Sequence, residues 1–173
     1  EIIGNSAFSS SGVKNVTVSD KVKVLENYAF SQSKLVMADL PGSLLEIGDS
    51  AFYKAQNLKS IDVPGLVKTI GQNCFSYCSV LEEVKLGGDL VSLGNSAFAY
   101  CTKITEIALP DKMTTIGASA FYNCTGLKEL TFPNSITKIG DNVLENCITL
   151  KKVSFGEKIQ KIAGNVFLNC PKL

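Results

Sequence analysis

The chain of 173 residues has no arginine, no histidine and no tryptophan, and each absence narrows what it can do. Without histidine, the side chain most used as a general base and as a metal ligand is missing. Without arginine, the forked guanidinium that grips phosphate or carboxylate through two parallel hydrogen bonds is missing too. Basic charge rests on 17 lysines against 16 acidic residues, a net charge of +1. Such a balance gives no reason to propose nucleic acid or an anionic membrane as partner, since either calls for a clustered basic face. No run approaches the ~18 consecutive apolar residues of a spanning helix, so this segment is not expected to insert into a membrane. The opening residues Glu1-Ile2-Ile3-Gly4-Asn5 lack a basic stretch followed by an apolar one, so no signal peptide is read there. Both ends look cut, as expected of a piece of a longer protein.

What is present is repetition. Gly48, Gly71, Gly94, Gly117 and Gly140 follow one another at intervals of 23 residues. Gly4 lies 44 residues before Gly48, with Glu26 midway, and Ala163 takes the slot 23 residues after Gly140. Cys78, Cys101, Cys124, Cys147 and Cys170 keep the same period, as do Phe52, Phe75, Phe98 and Phe121, continued by Leu144 and Phe167. Counted from the first leucine-like residue, units begin at Val13, Leu35, Leu58, Leu81, Ile104, Leu127, Leu150 and Leu173. The whole chain, 1–173, reads as one domain of about seven and a half units of 22–23 residues. The short units lose their residue between Phe8 and Val13 and between Phe30 and Leu35, where a loop absorbs a deletion without moving a strand out of register.

Within the unit, L-x-x-[IV]-x-[LVF] ends in alternation, as in Val84-Lys85-Leu86, and predicts a short strand with one face buried. Pro41, Pro64, Pro110 and Pro133, or Gly87 and Gly156 elsewhere, stop that strand. Gly-Asn-Ser-Ala-Phe and Gly-Asp-Ser-Ala-Phe then offer Asn, Asp or Ser as the N-cap of a single helical or 3-10 turn, with the glycine free to take positive φ. One unit cannot bury its own apolar face. Units stacked at ~4.8 Å build a parallel sheet on the concave side and a continuous core, over ~35 Å in all. The expected fold is a β-rich, right-handed, horseshoe-like solenoid.

This unit resembles the BspA-like class of leucine-rich repeats. Ile116-Gly117-Ala118-Ser119-Ala120-Phe121-Tyr122-Asn123-Cys124 carries the I-G-x-x-A-F-x-x-C signature at every defined position, and the resemblance covers Ile3 to Leu173. The commoner leucine-rich repeat has Asn or Cys eight residues after its first Leu; here Asp89, Lys112, Ser135 and Lys158 stand there, so no Asn ladder is expected in that turn. The resemblance implies a cell-surface or secreted setting and a role in adhesion or in binding host or matrix proteins. It departs at Glu26 and Ala163, at Val143-Leu144, and before Cys78, where the cysteine is replaced.

The candidate binding face is the outward side of the first strand of each unit. Asp62, Glu83, Lys85, Glu106, Glu129, Thr131 and Lys152 are the candidate ligand-binding residues on it. Glu83, Glu106 and Glu129 recur once per unit as an acidic stripe; stacked like charges oppose stability, and a stripe kept despite that suits a cationic partner. The partner is expected to be a protein or a glycan, with the segment itself monomeric. A structural spacer that holds other domains away from the surface is the alternative.

The cysteines sit once per unit in an apolar setting, which reads as free buried thiols, with an inter-coil disulfide as the alternative. Cys74 and Cys78 lack a second pair, so no zinc is expected. Tyr53, Tyr77, Tyr100 and Tyr122 form a second cluster, read as cover over the core beneath the loops, with an interface anchor as the alternative. Asn15-Val16-Thr17 and Asn123-Cys124-Thr125 match the glycosylation sequon, which has meaning only in a eukaryotic secretory setting. No Gly-x-Ser-x-Gly and no triad can be assembled, so neither an enzyme nor a cofactor is expected.

Overall fold

The computed structural model describes all 173 residues and contains thirteen short strands, numbered in chain order, on two sides of a solenoid. The L-x-x-[IV]-x-[LVF] segments form a first face from β2 (Asn15–Thr17), β4 (Met37–Asp39), β6 (Ser60–Asp62), β8 (Glu83–Lys85), β11 (Glu129–Thr131) and β13 (Lys152–Ser154). The pair of residues before each repeat glycine, or before Glu26, forms a second face. Its strands are β1 (Ile2–Ile3), β3 (Val24–Leu25), β5 (Glu46–Ile47), β7 (Thr69–Ile70), β9 (Ser92–Leu93), β10 (Thr115–Ile116) and β12 (Lys138–Ile139). All pairings are parallel and join residues one repeat apart, such as Ile70 with Leu93 and Ile116 with Ile139. The alternation that predicts a half-buried strand is present: Ile61 is buried between exposed Ser60 and Asp62.

The continuous sheet lies on the second face, not the first. There β1-β3-β5-β7-β9-β10-β12 form seven unbroken strands, whereas the first face is divided into the pairs β2-β4, β6-β8 and β11-β13. Segment 104–109 has no strand at all.

The third side holds the G-x-x-A-F-x-x-C segments, and here two local expectations are corrected. No helix forms; the backbone runs through consecutive turns. Alternate amides donate to the next coil, as Asn73, Phe75 and Tyr77 do to the carbonyls of Asn95, Ala97 and Ala99, each at 2.8 Å. The amides between them close turns within the coil, as Ser76 does on Asn73 at 3.1 Å. A helix would direct all of these donors along its own axis and leave the coils unjoined. Two residues per coil, the second and sixth after the glycine, take left-handed φ, and they are Ser, Asn and other non-glycine residues.

No glycine has positive φ. The repeat glycine is needed for close approach: a Cβ on Gly71 would lie 2.6 Å from the Asp49 backbone nitrogen of the preceding coil. The Asn or Asp after the glycine is likewise no helix cap. Its side chain joins coils, with Asp49 Oδ1 accepting from the Gln72 amide at 2.7 Å and Asn95 Oδ1 from the Ala118 amide at 2.9 Å.

Inside these three sides runs a single core of 43 buried apolar residues. Its spine is a stack of near-parallel rings: Phe30 to Phe52, Phe52 to Phe75 and Phe75 to Phe98 are 5.4, 5.1 and 5.1 Å apart. One ring per coil with no exposure removes on the order of 150–250 Å² of aromatic surface from water at each step. That burial, repeated along the stack, is what a single unit cannot achieve.

Candidate functional site

The strands of the first face keep one side chain of each pair in the core and turn the neighbours outward, and all seven candidate residues are exposed there. Asp62 is on β6, Glu83 and Lys85 on β8, Glu129 and Thr131 on β11, and Lys152 on β13. Glu106 falls in segment 104–109, which has no strand.

The paired and open stretches of the face follow the charges at matching repeat positions. In the β6–β8 register Asp62 stands opposite Lys85, and in the β11–β13 register Glu129 stands opposite Lys152. Opposite charges across neighbouring strands favour pairing, and like charges oppose it. The missing links fall where like charges share a repeat position: Asp39 and Asp62 between β4 and β6, then Glu83, Glu106 and Glu129 across segment 104–109. Of the backbone links expected around that segment, the Lys128 amide to the Thr105 carbonyl at 3.0 Å remains.

At this break lies an open cleft of about 1080 Å³. It brings together five of the seven candidates, Glu83, Lys85, Glu106, Glu129 and Thr131, and leaves Asp62 and Lys152 outside. Glu82, Lys103 and Asp111 line it as well. These three escape a reading that counts only alternate strand positions; the doublet Glu82-Glu83 and the acid after Pro110 were the available signals. Five carboxylates thus face two lysines, and none is in an ion pair, since the one ion pair of the chain joins Lys112 to Asp89. No cluster of His, Cys, Asp or Glu is arranged to hold a metal ion. No helix is long and apolar enough to cross a membrane.

All six cysteines are free thiols, and all but Cys170 are buried. Each thiol of the repeating column donates to a carbonyl of the preceding coil: Cys78 to Phe52 and Cys101 to Phe75 at 3.1 Å, Cys124 to Phe98 at 3.2 Å. Burial pushes the Cys78 thiol up to about 12, and holds Cys101 and Cys124 well above the ordinary thiol range. These are structural groups, far from the thiolate that nucleophilic chemistry needs.

Several solved structures share this architecture. A leucine-rich repeat protein from Bacteroides ovatus is 27% identical with a TM-score of 0.82, over 100% of this chain and 51% of its own. A leucine rich cell surface protein from Faecalibacterium prausnitzii is 24% identical with a TM-score of 0.69, over 99% and 62%. The pneumococcal vaccine antigen PcpA is 24% identical with a TM-score of 0.67, over 98% and 46%. The chain therefore spans about half the length of the first of these. No curated protein matches the sequence. The family model for the BspA type leucine rich repeat region matches six copies, over residues 1–102 and 91–173. With its repeats matched from end to end and its coils stacked as that pattern requires, the chain belongs to the BspA-type leucine-rich-repeat family.

Proposed function

We propose that this chain is a recognition module, displayed at a cell surface or secreted, that binds a protein or glycan through the first strand face. The observation that carries this reading is the cleft at segment 104–109, where five carboxylates and two lysines without ion-pair partners surround a break in the strand ladder. Solenoids of stacked repeats offer broad, ready-made surfaces for recognition, and exposed unpaired charge sets partner choice and encounter rate. The excess of carboxylates selects a ligand with cationic groups. The surface setting is supported by the description of the Faecalibacterium prausnitzii protein as a cell surface protein. An adhesive role, in contact with host or matrix molecules, fits such a module.

The test is binding of the purified chain to a panel of extracellular-matrix proteins and glycans, beside a Glu83→Lys, Glu106→Lys, Glu129→Lys variant. Saturable binding should be lost in the variant, with stability lowered only by the roughly 0.2–1 kcal/mol of setting a like charge against Lys152. Asp62→Asn, which lies outside the cleft, should bind as the parent does. Binding retained by the triple variant would place the site elsewhere. No binding by either form would favour a spacer that presents other parts of a longer protein.

A further inference from the structure

Tyr53, Tyr77, Tyr100 and Tyr122 stand in one column on the turn side, away from the strand face. Their ring centres are 5.9, 4.2 and 5.4 Å apart along the column. The expectation that they cover the core is not supported by the coils that lack them. Phe30 is wholly buried although Ser31 and Gln32 follow it, and Leu144 is wholly buried although Glu145 and Asn146 follow it. Burying the spine does not need a tyrosine.

Two of the rings also sit where a bulky residue is least at ease. Tyr77 and Tyr100 have φ of 62°, at the ladder position that other coils fill with Ser10, Gln32, Lys54, Asn123, Asn146 and Asn169. Asn tolerates the left-handed region, and a large aromatic residue there is a true outlier. Tyr77 is exposed and Tyr100 half-buried, and strain of this kind at an aromatic points from the outlier to a role.

The surroundings of the column define what it fits. Lys54 Nζ lies 5.2 Å from the centre of the Tyr53 ring and 5.6 Å from that of Tyr77. The turns 52–57, 75–80, 98–102 and 121–126 contain no carboxylate of their own and carry Gln56, Asn57 and Asn123, whereas Glu145 takes the Tyr122 position in the next coil and ends the column there. None of the four phenol hydroxyls bonds to a group of the chain outside the column. Tyr77 and Tyr100 stack face to face, whereas Tyr53 and Tyr122 meet them edge-on, and each phenol carries an O–H donor. From Tyr53 to Tyr100 the column offers phenol donors and the Lys54 ammonium with no carboxylate at the matching positions, a surface for an acidic, hydroxyl-rich ligand. One ring per coil step of ~4.8 Å is close to the advance of one sugar along a chain, and longer than the ~3.3 Å of an extended peptide residue.

We infer that the tyrosine column is a second binding site, for a glycan chain that carries carboxylate or sulfate groups. Its ligand differs in charge from that of the strand face, and the inference does not depend on the strand-face reading.

The chain reports on this site directly, because it has no tryptophan and four of its five tyrosines are in the column. Tyrosine emission and calorimetry would follow titration with polygalacturonate, a heparin-type sulfated chain, neutral dextran and poly-glutamate. A saturable response to one or both acidic glycans, weakened by salt and absent with dextran, is expected; which of the two responds distinguishes carboxylate from sulfate. A Tyr77→Asn, Tyr100→Asn variant places the residue of Asn123, Asn146 and Asn169 in both coils. It should melt no lower than the parent and lose at least tenfold in affinity. No response to either glycan, an equal response to poly-glutamate, or undiminished affinity in the double variant would each overturn the inference.

Discussion

Glu129 stands opposite Lys152 in the parallel register of β11 and β13, whereas the equivalent neighbours Glu83 and Glu106 face each other with like charge and without a strand ladder. The contrast makes Glu106 the residue that keeps the first face open. Glu106→Lys would set a cation between Glu83 and Glu129, turning two unfavourable pairs into favourable ones. Each such cross-strand change is worth roughly 0.2–1 kcal/mol. The variant should therefore be more stable, and the amides of 104–109 should gain protection in hydrogen exchange. Unchanged exchange across that segment would show that charge does not hold the ladder open. The triple variant proposed above keeps like charges across segment 104–109 and so does not close it, while its Glu129→Lys change also sets a like charge against Lys152.

The column of thiols predicts a pH dependence. Cys78 and Cys147 are each raised from the ordinary thiol value of 9.0 to about 12, chiefly by burial. A group whose pKa is raised by folding holds its proton more tightly in the native state. Its contribution is complete below the unfolded value and is lost as pH rises towards the folded one. Unfolding free energy should thus decline between pH 9 and about 12, by up to about 1.4 kcal/mol per pH unit for each thiol. Cys78→Ala is a measured way to remove one such group, since Ala55 already fills the same place wholly buried. Urea midpoints followed against pH should fall less steeply in Cys78→Ala than in the parent. Equal slopes would assign the alkaline loss to other groups.

The repeat period, the buried Phe, Leu and Cys columns, and the outward strand positions were legible in the sequence because each recurs at a fixed interval. A period-2 pattern in Val84-Lys85-Leu86 also reports directly which side chains turn inward. The turn side was less legible. Asn or Asp after a glycine satisfies a helix cap and an inter-coil ladder equally well, and only the position of the next coil decides between them. The same holds for the glycine itself, whose missing Cβ serves either a left-handed backbone or a close neighbour. At the cleft, the acidic stripe was visible as Glu83, Glu106 and Glu129. Its consequence, a broken ladder that draws in Glu82, Lys103 and Asp111, depends on charges facing each other across coils.

The reason for the repeat glycine can be tested against a glycine of the same chain that has no such duty. A Cβ on Gly94 would lie 2.6 Å from the Gln72 backbone nitrogen and 2.7 Å from the Gly71 carbonyl carbon, and backbone cannot swing aside as a side-chain tip can. A Cβ on Gly88 would meet nothing within 4 Å, and neither glycine has positive φ. Gly→Ala at a compatible position stabilises by about 0.4–1 kcal/mol through the unfolded chain. Gly88→Ala should accordingly be neutral or slightly stabilising. Gly94→Ala should cost more than that gain, on the order of the 1–3 kcal/mol of an overpacked core. Because each coil contacts only its neighbours, the loss in Gly94→Ala should appear first in exchange of the amides of coils 71–78 and 94–101, with the distant coils still protected. If both variants melt alike, close coil approach is not what the glycine column provides.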